Sequence, residues 1–334
     1  MENVDHLRLM TKVARLYHTH GLRQTEIAER LQISQSRVSR LLAQAEEANI
    51  VRIVVAIPPH VHGDLEEIIE KRYGLHEVHV IDTVSNEGPT LDRDLAYAMA
   101  SILHDAAPEA PTIGFTSWSR TQRLMVEALQ TWRSNNQNVV ETLGDLGPPA
   151  LQHEAAGSTQ RFAALTGGQP VFLRTPGVVP SASVREALLS QDLYARQALE
   201  MLDNLDLVLV GIGTCDITPP LRSGDKYFTT EQLDEVQQLG AVGQVCLRFL
   251  DAEGAPIPNA LDELVIGITT EQLKLARRRW AVAGGPPKYA VIRAALLGGW
   301  VDTLVTDTAT ARYLVTSADK PKRQRSARRV PNAS

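Results

Sequence analysis

QTEIAERLQISQSRVSRLL, residues 24–42, carries the periodicity that decides what the amino end of this 334-residue chain builds. Ile27, Ala28 and Leu31 recur at helical spacing, Gln32-Ile33-Ser34 interrupts them, and Val38, Leu41 and Leu42 resume it. The spacing predicts two helices joined by a tight turn. Thr25 is placed to cap the first and Ser34 the second, Ala28 is small enough for another helix to cross closely, and Ile33 plugs the turn. Upstream, Leu7, Met10, Val13, Ala14 and Tyr17 predict a preceding helix that stops at Gly21. With the apolar residues inward, Gln35, Ser36, Arg37, Ser39 and Arg40 face outward from the third helix.

This is the helix-turn-helix pattern, and its outer face has the chemistry of a duplex reader. A major groove admits a helix whose early residues reach base edges, which calls for hydrogen-bonding and cationic tips. Arg37 and Gln35 are assigned to bases; Ser36, Ser39, Arg40 and Arg23 are assigned to phosphates, with Thr25 completing the contact set. The competing reading is a solvated three-helix bundle, against which cap, crossing residue, plug and polar face all agree.

Charge follows the same division. Residues 1–57 hold eight basic against six acidic side chains and residues 317–334 six against one, leaving 20 against 32 between them, although the whole chain is −5. A basic head and tail flank an acidic body, as expected when one end approaches a polyanion. The tail alone reads equally as a solvated disordered end. Two cysteines, Cys215 and Cys246, suit neither a disulfide framework nor a zinc spacing, and the opening residues lack a signal peptide's apolar run, so a soluble, cytoplasmic protein is expected.

Residues 50–57, IVRIVVAI, predict a strand, either a wing or the start of a linker, stopped by Pro58-Pro59. Next, Leu65, Ile68, Ile69 and Tyr73 form one apolar stripe on a helix, to be buried on the chain's own body or on a second copy. The expected organisation is a helix-turn-helix domain over 1–57, a linker and dimerisation helix over 58–75, an effector domain over 76–316 and a basic tail over 317–334. From residue 76, short apolar runs (HEVHVID, PTIGFTS, NVVETLG, PVFLRT, DLVLVGIG, VGQVCLRFLD, ELVIGIT, WAVAGG, DTLVTD) alternate with helical patterns. The fold class is therefore α/β, with a Rossmann-like parallel sheet covered on both faces, and ligands sit beyond the carboxyl ends of such strands.

Four loops at those ends carry chemistry. GFTSWSRT, residues 114–121, offers Thr116, Ser117, Ser119 and Arg120 at a strand-to-helix turn, a cradle for a phosphate or anionic sugar. GIGTCD, residues 211–216, places Gly211 and Gly213 where backbone approaches a ligand or strand; lacking the third glycine of the dinucleotide fingerprint, it argues against a nicotinamide cofactor, and no cofactor is expected. Asp251 stands after VCLRFL either to accept sugar hydroxyls or as a surface turn aspartate. Lys288, in AGGPPKYA, opposes the dipole of the helix it begins unless an anion is present. Asp307 reads as an N-cap. HVH at 60–62 and HEVH at 76–79 lack a third metal ligand, and no metal is expected.

Taken together, LYHTHGLRQTEIAERLQISQSRVSRLL, IVRIVV, GFTSWSRT, GIG, GAVGQVCLRFLDAEG and VAGGPPKYAVIRAALLGGWVDTLVTDTATA resemble the SorC family of bacterial transcriptional regulators, from about Leu7 to Val315. The resemblance implies a helix-turn-helix head, a sugar-binding body similar to sugar-phosphate isomerases, assembly as dimers or tetramers, and operator DNA affinity that changes with a sugar, sugar alcohol or sugar phosphate. It implies that Thr116, Ser119 and Arg120 form the first ligand loop, Gly211 and Gly213 the second, Asp251 a polar contact and Lys288 the anion contact. Two departures concern the ligand: many members have glycine in place of Ser119, and an Ala-Pro pair in place of RTPG, residues 174–177, where Arg174 either adds charge near the pocket or pairs with a surface acid. The rival reading is a sugar-phosphate isomerase with a helical appendage, for which Asp251 and Asp145 are the candidate bases. A pure interaction module would leave the arginines of the third helix unexplained.

Overall fold

Three helices, α1 (Glu2–His18), α2 (Gln24–Leu31) and α3 (Gln35–Glu47), close over Val13, Ile27, Val38, Leu41 and Ala45. The computed structural model describes residues 2–48, 50–51, 60–106, 110–131, 137–216 and 227–317. The chain divides into two compact units, Met1–Pro58 and Pro59–Ser334. Most of the strand expected over 50–57, and the basic tail, lie outside the described residues.

Two details of the first unit differ from the sequence expectation. Leu7 and Tyr17 remain exposed while Leu16 is buried, because the chain folds back past Gly21 (φ +68°) and Leu22 donates its N–H to the Leu16 carbonyl at 3.1 Å, covering that side of α1. Thr25 does not cap α2. The helix begins two residues earlier than a Thr25 cap would allow, with Arg23 at the cap position and its N–H donated to the Glu26 carboxylate at 2.7 Å. Ser34 caps α3, its Oγ accepting the Arg37 N–H at 3.3 Å, and Ile33 packs half-buried against the core.

In the second unit, α4 (Gly63–Tyr73) precedes β1 (Glu77–Ile81), α5 (Gly88–Ala106), β2 (Thr112–Phe115), α6 (Arg120–Ala128), β3 (Asn138–Glu141), α7 (Pro149–Leu165) and β4 (Gln169–Val171). Then come α8 (Ala182–Gln191), α9 (Leu193–Met201), β5 (Leu207–Val210), β6 (Ile212–Gly213), α10 (Thr230–Gln238), β7 (Gly243–Val245) and β8 (Arg248–Leu250). The unit closes with α11 (Thr270–Leu275), β9 (Arg279–Val282), α12 (Tyr289–Leu297), β10 (Thr303–Asp307) and α13 (Thr308–Thr316). Seven parallel strands form one sheet in the order β1-β10-β9-β5-β2-β3-β4. Every residue of β5 and β10 is buried, as a sheet covered by helices on both faces requires. The six strands from β4 to β10 follow a Rossmann-type order, and β1 adds a seventh at the edge. Among the described residues no helix is long and apolar enough to cross a membrane.

Of the two burials open to the apolar stripe of α4, its own unit supplies the cover for most of it. Ile69 is fully buried, Leu65 and Tyr73 pack against the same core, and only Ile68 stays exposed. Its acids finish the edge strand: Val78 and Val80 donate their N–H groups to Glu70 at 2.9 Å and Glu66 at 2.8 Å, which removes the free donors of an open sheet edge.

VGQVCLRFLD and ELVIGIT do not extend the parallel sheet. The first forms the antiparallel pair β7 and β8 of a second, three-stranded sheet with β6, and the second makes only isolated bridges such as Val178 with Val265. The β7–β8 hairpin turns on Cys246 (φ 51°) and Leu247 (φ 61°), left-handed positions usually given to asparagine and glycine. Each non-glycine residue there costs about 1–2 kcal/mol, while burying a leucine side chain gains about 1.5–3 kcal/mol. Leu247 is only 3% exposed, so burial wins at that position. Leu247→Gly is accordingly expected to lower stability by about 1–3 kcal/mol despite easing the backbone; an increase in the denaturation midpoint would reverse that balance.

Candidate functional site

Strand order reverses between β2 and β5, so the loops leaving their carboxyl ends part and open a crevice. Thr116 anchors the first loop, donating its N–H to the Leu209 carbonyl at 3.2 Å. Ser119 then caps α6 by accepting the Gln122 N–H at 3.5 Å, which puts Arg120 in the helix's first turn, 56% exposed. A Cβ on Gly211 would lie 3.0 Å from that of Ser119, so glycine is what lets the second loop approach the first. Gly211 is thus brought against the loop that carries Thr116, Ser117, Ser119 and Arg120, while Gly213 pairs with Gln244 of β7. Ser117 is 1% exposed and its hydroxyl, like the Gln122 side-chain amide, has no hydrogen-bond partner among the described residues. Beneath them the Thr116 hydroxyl meets Thr142 at 3.0 Å and Cys246 Sγ at 3.4 Å. Burial pushes the Cys246 thiol pKa up, which keeps it a neutral hydrogen-bonding floor.

The loop carrying Lys288 is held from below. Asp307, fully buried, caps α13 by accepting the Thr310 N–H at 2.9 Å, and its other oxygen accepts the Gly285 N–H at 3.0 Å and the Thr310 hydroxyl at 2.5 Å. Gly285 adopts φ +91°, a conformation open to glycine and strained for other residues. Lys288 follows as the residue before α12, half-buried, its N–H donated to the Gly285 carbonyl at 3.0 Å and its ammonium without a hydrogen bond or ion pair among the described residues. Burial pushes its pKa down, partly offset by the charge of Asp92. Asp92, on the first turns of α5, was not singled out in the sequence because nothing in its local pattern distinguishes it. Its carboxylate stands 3.7 Å from Arg120 Nε and accepts the Thr121 hydroxyl at 3.4 Å.

Asp251 is placed elsewhere. Its Oδ1 accepts the N–H groups of Glu253 at 3.0 Å and Ala255 at 2.8 Å, which is the turn role. That turn lies against the carboxyl end of α12, where Trp300 donates to the Gly254 carbonyl at 2.8 Å and a Cβ on Gly254 would strike the Ala294 carbonyl. Lys288 lies at the other end of α12, roughly 13 Å away along nine residues at 1.5 Å each. Asp251 thus holds its own turn, one of the two roles its position allowed, and a run of apolar residues followed by an aspartate does not reveal which way the next turn packs. Asp145, its side chain only 14% exposed, pairs with Arg174 at 3.2 Å. A cavity of about 630 Å³ lined by Arg185, Glu186, Arg196 and Glu263 touches none of these loops.

The histidines of HVH have a structural partner in Asp82, just past β1. His60 Nδ1 and His62 Nε2 approach its carboxylate at 2.6 and 2.8 Å and the Thr308 hydroxyl donates at 3.1 Å. These hydrogen bonds, that of His60 foremost, lower the Asp82 pKa from 3.8 to about 2. A carboxyl lowered in the folded state stabilises it above the unfolded value, and that contribution is lost as pH falls from about 4 toward about 2. In a His60→Ala, His62→Ala variant the Asp82 carboxyl should titrate back near its ordinary range by NMR; an unchanged titration would detach the histidines from it. Among the described residues no group of three or more histidine, cysteine, aspartate or glutamate side chains could hold a metal ion.

On the first unit, Arg23, Thr25, Gln35, Ser36, Arg37, Ser39 and Arg40 are all exposed while Val38, Leu41 and Leu42 are buried. Arg40 Nε donates to the Ser36 carbonyl at 3.4 Å, and Ser36 and Ser34 share a hydroxyl contact at 3.1 Å. The exposed row occupies the first two turns of α3, where a groove-entering helix presents its base-reading residues.

Residues 59–316 match the family model described as "Putative sugar-binding domain". Over 309 residues the chain is 31% identical to the deoxyribonucleoside regulator of Bacillus subtilis, covering 92% of this chain and 97% of that one. It is 30% identical over 328 residues to the sorbitol operon regulator of Klebsiella pneumoniae, covering 94% and 100%. The crystal structure of full-length SorC from Klebsiella pneumoniae superposes with a TM-score of 0.68 at 27% identity, over 93% of this chain and 99% of the other.

Proposed function

The chain belongs to the SorC family of sugar-responsive bacterial transcriptional regulators, and from that premise we propose that it binds operator DNA through α3 and is controlled by a sugar, sugar alcohol or sugar phosphate held in the β2–β5 crevice. The observation that carries the reading is the segregation on α3, where Gln35, Ser36, Arg37, Ser39 and Arg40 are exposed while Val38, Leu41, Leu42 and Ala45 are buried. Arg37 and Gln35 read bases; Ser36, Ser39, Arg40, Arg23 and Thr25 meet the backbone. Two copies supply two recognition helices for half-sites one helical turn apart or a multiple of it, so the working form is a homodimer or a tetramer built from dimers, acting in the cytoplasm.

Thr116, Ser117, Ser119, Arg120, Gly211, Gly213 and Lys288 hold the effector. Its binding energy is coupled to operator affinity by linkage, and a coupling of about 1–3 kcal/mol changes that affinity about 5- to 150-fold. No catalytic step is assigned. Asp251 Oδ1 accepts two N–H groups of its own turn and Asp145 pairs with Arg174, which supports a binding role over that of an isomerase base. The test is fluorescence anisotropy with the chain's own promoter fragment at low salt, with and without a panel of sugars and sugar phosphates. Saturable binding shifted by one of them is the expected result, and indifference to the fragment under every condition would refute it.

A further inference from the structure

Asp307 and Thr308, neighbours in the chain, hold two different parts of the second unit. The Asp307 carboxylate accepts the Gly285 N–H at 3.0 Å and so fixes the loop that carries Lys288. The Thr308 hydroxyl lies 3.1 Å from both the Ile81 carbonyl and Asp82 Oδ1. Asp82 in turn meets His60 Nδ1 at 2.6 Å and His62 Nε2 at 2.8 Å, and these histidines stand where the chain enters this unit from the helix-turn-helix unit. The two parts are joined a second time, since a Cβ on Gly285 would lie 3.1 Å from the carbonyl of Asn86, in the segment that follows Asp82. His62 is the better sheltered of the pair, its side chain 20% exposed against 82% for His60, so its bond to Asp82 is screened less by water. The His62 carbonyl also accepts the N–H groups of Leu65 at 2.9 Å and Glu66 at 3.0 Å, which makes the first turn of α4 part of the same clasp.

We propose that the His60–His62–Asp82–Thr308 clasp is the coupling element of the regulator: an effector that shifts the Lys288 loop changes the hold of Gly285 on Asp307, and the Asp307–Thr308 step passes that change to the entry segment. The inference rests on the effector reading above and deepens it by naming how the site is regulated. Every residue of β10, which ends at Asp307, is buried. A close-packed strand end transmits a displacement instead of absorbing it at one residue. The clasp supplies the two states that coupling needs, closed with His62 on Asp82 and open with the entry segment released, and the effector favours one over the other.

The full chain is tested in two ways. Without any ligand, amide hydrogen exchange at Leu65 and Glu66 reports the clasp, because His62 holds both N–H groups. Asp82→Ala and Thr308→Val should each speed that exchange by about tenfold or more. Gly285→Ala, strained at φ +91° on the far side of the Asp307–Thr308 step, should speed it as well, while mid-helix amides of α7 exchange as before. Asp307→Asn serves as a second probe of that side if Gly285→Ala does not fold. Operator anisotropy is then measured with sorbitol, ribose 5-phosphate and glucose 6-phosphate. Whichever of them shifts wild-type affinity by about 5- to 150-fold should shift Asp82→Ala and His62→Ala by less than about twofold, although calorimetry still finds it bound. A folded Gly285→Ala or Asp307→Asn protein whose Leu65 and Glu66 amides exchange as in wild type overturns the proposal, and so does an Asp82→Ala protein that keeps the full sugar response. If no sugar moves wild-type operator affinity, the effector reading above fails, and the exchange comparison still decides whether loop and clasp are joined.

Discussion

Arg37→Ala should weaken binding to the cognate operator by about 5- to 150-fold, the equivalent of the roughly 1–3 kcal/mol carried by one bidentate arginine–guanine pair, and should flatten base preference at one position of each half-site. The side chain is exposed in the first turn of α3, next to the Ser34 cap. Its removal takes nothing from the core formed by Val38, Leu41 and Leu42. Arg40→Ala provides the contrast. A phosphate contact should weaken every duplex alike and reduce the slope of log affinity against log salt by about 0.9. Competition titrations with operator variants at three salt concentrations separate the two, and an Arg37→Ala protein with unchanged operator affinity would remove α3 from the groove.

Asp307→Ala should cost about 2–4 kcal/mol, from a lost helix cap and the loss of charge-assisted hydrogen bonds from the Thr310 hydroxyl and the Gly285 N–H, although that N–H keeps the Thr310 hydroxyl at 2.9 Å. In a unit of this size that lowers the melting temperature by about 4–16 °C. Function should suffer beyond stability, because the same carboxylate fixes the loop that aims Lys288. An effector at about 100 times its dissociation constant stabilises a binding-competent protein by about 2.7 kcal/mol; well below its melting point, Asp307→Ala should lose most of that gain. Asp307→Asn, which can still accept the Thr310 N–H, should lose less stability. Full ligand-induced stabilisation in the alanine variant would show that the loop holds its shape without Asp307.

Much of this was legible because it is local. The cap at Ser34, the inward row of α3 and the alternating strands and helices each depend on residues within a few positions of one another. The errors were local too, but turned on competing partners. Thr25 lost the cap of α2 because Glu26 reaches back to Arg23. The β7–β8 hairpin was unreadable, since Cys246 and Leu247 are residues that turn propensity assigns elsewhere and burial outweighs their strain.

What the sequence by itself determined is the pair of architectures and the loops that end their strands, since periodicity and caps act at short range. Which groups share a site was decided by the tertiary structure alone. Asp251 was carried to the far end of α12, while Asp92, far from both in sequence, was brought beside Arg120 and under the influence of Lys288. The physical reason is that charge acts through space: a carboxylate and two cations from three separate elements become neighbours only once the parallel sheet has set the order in which those elements lie.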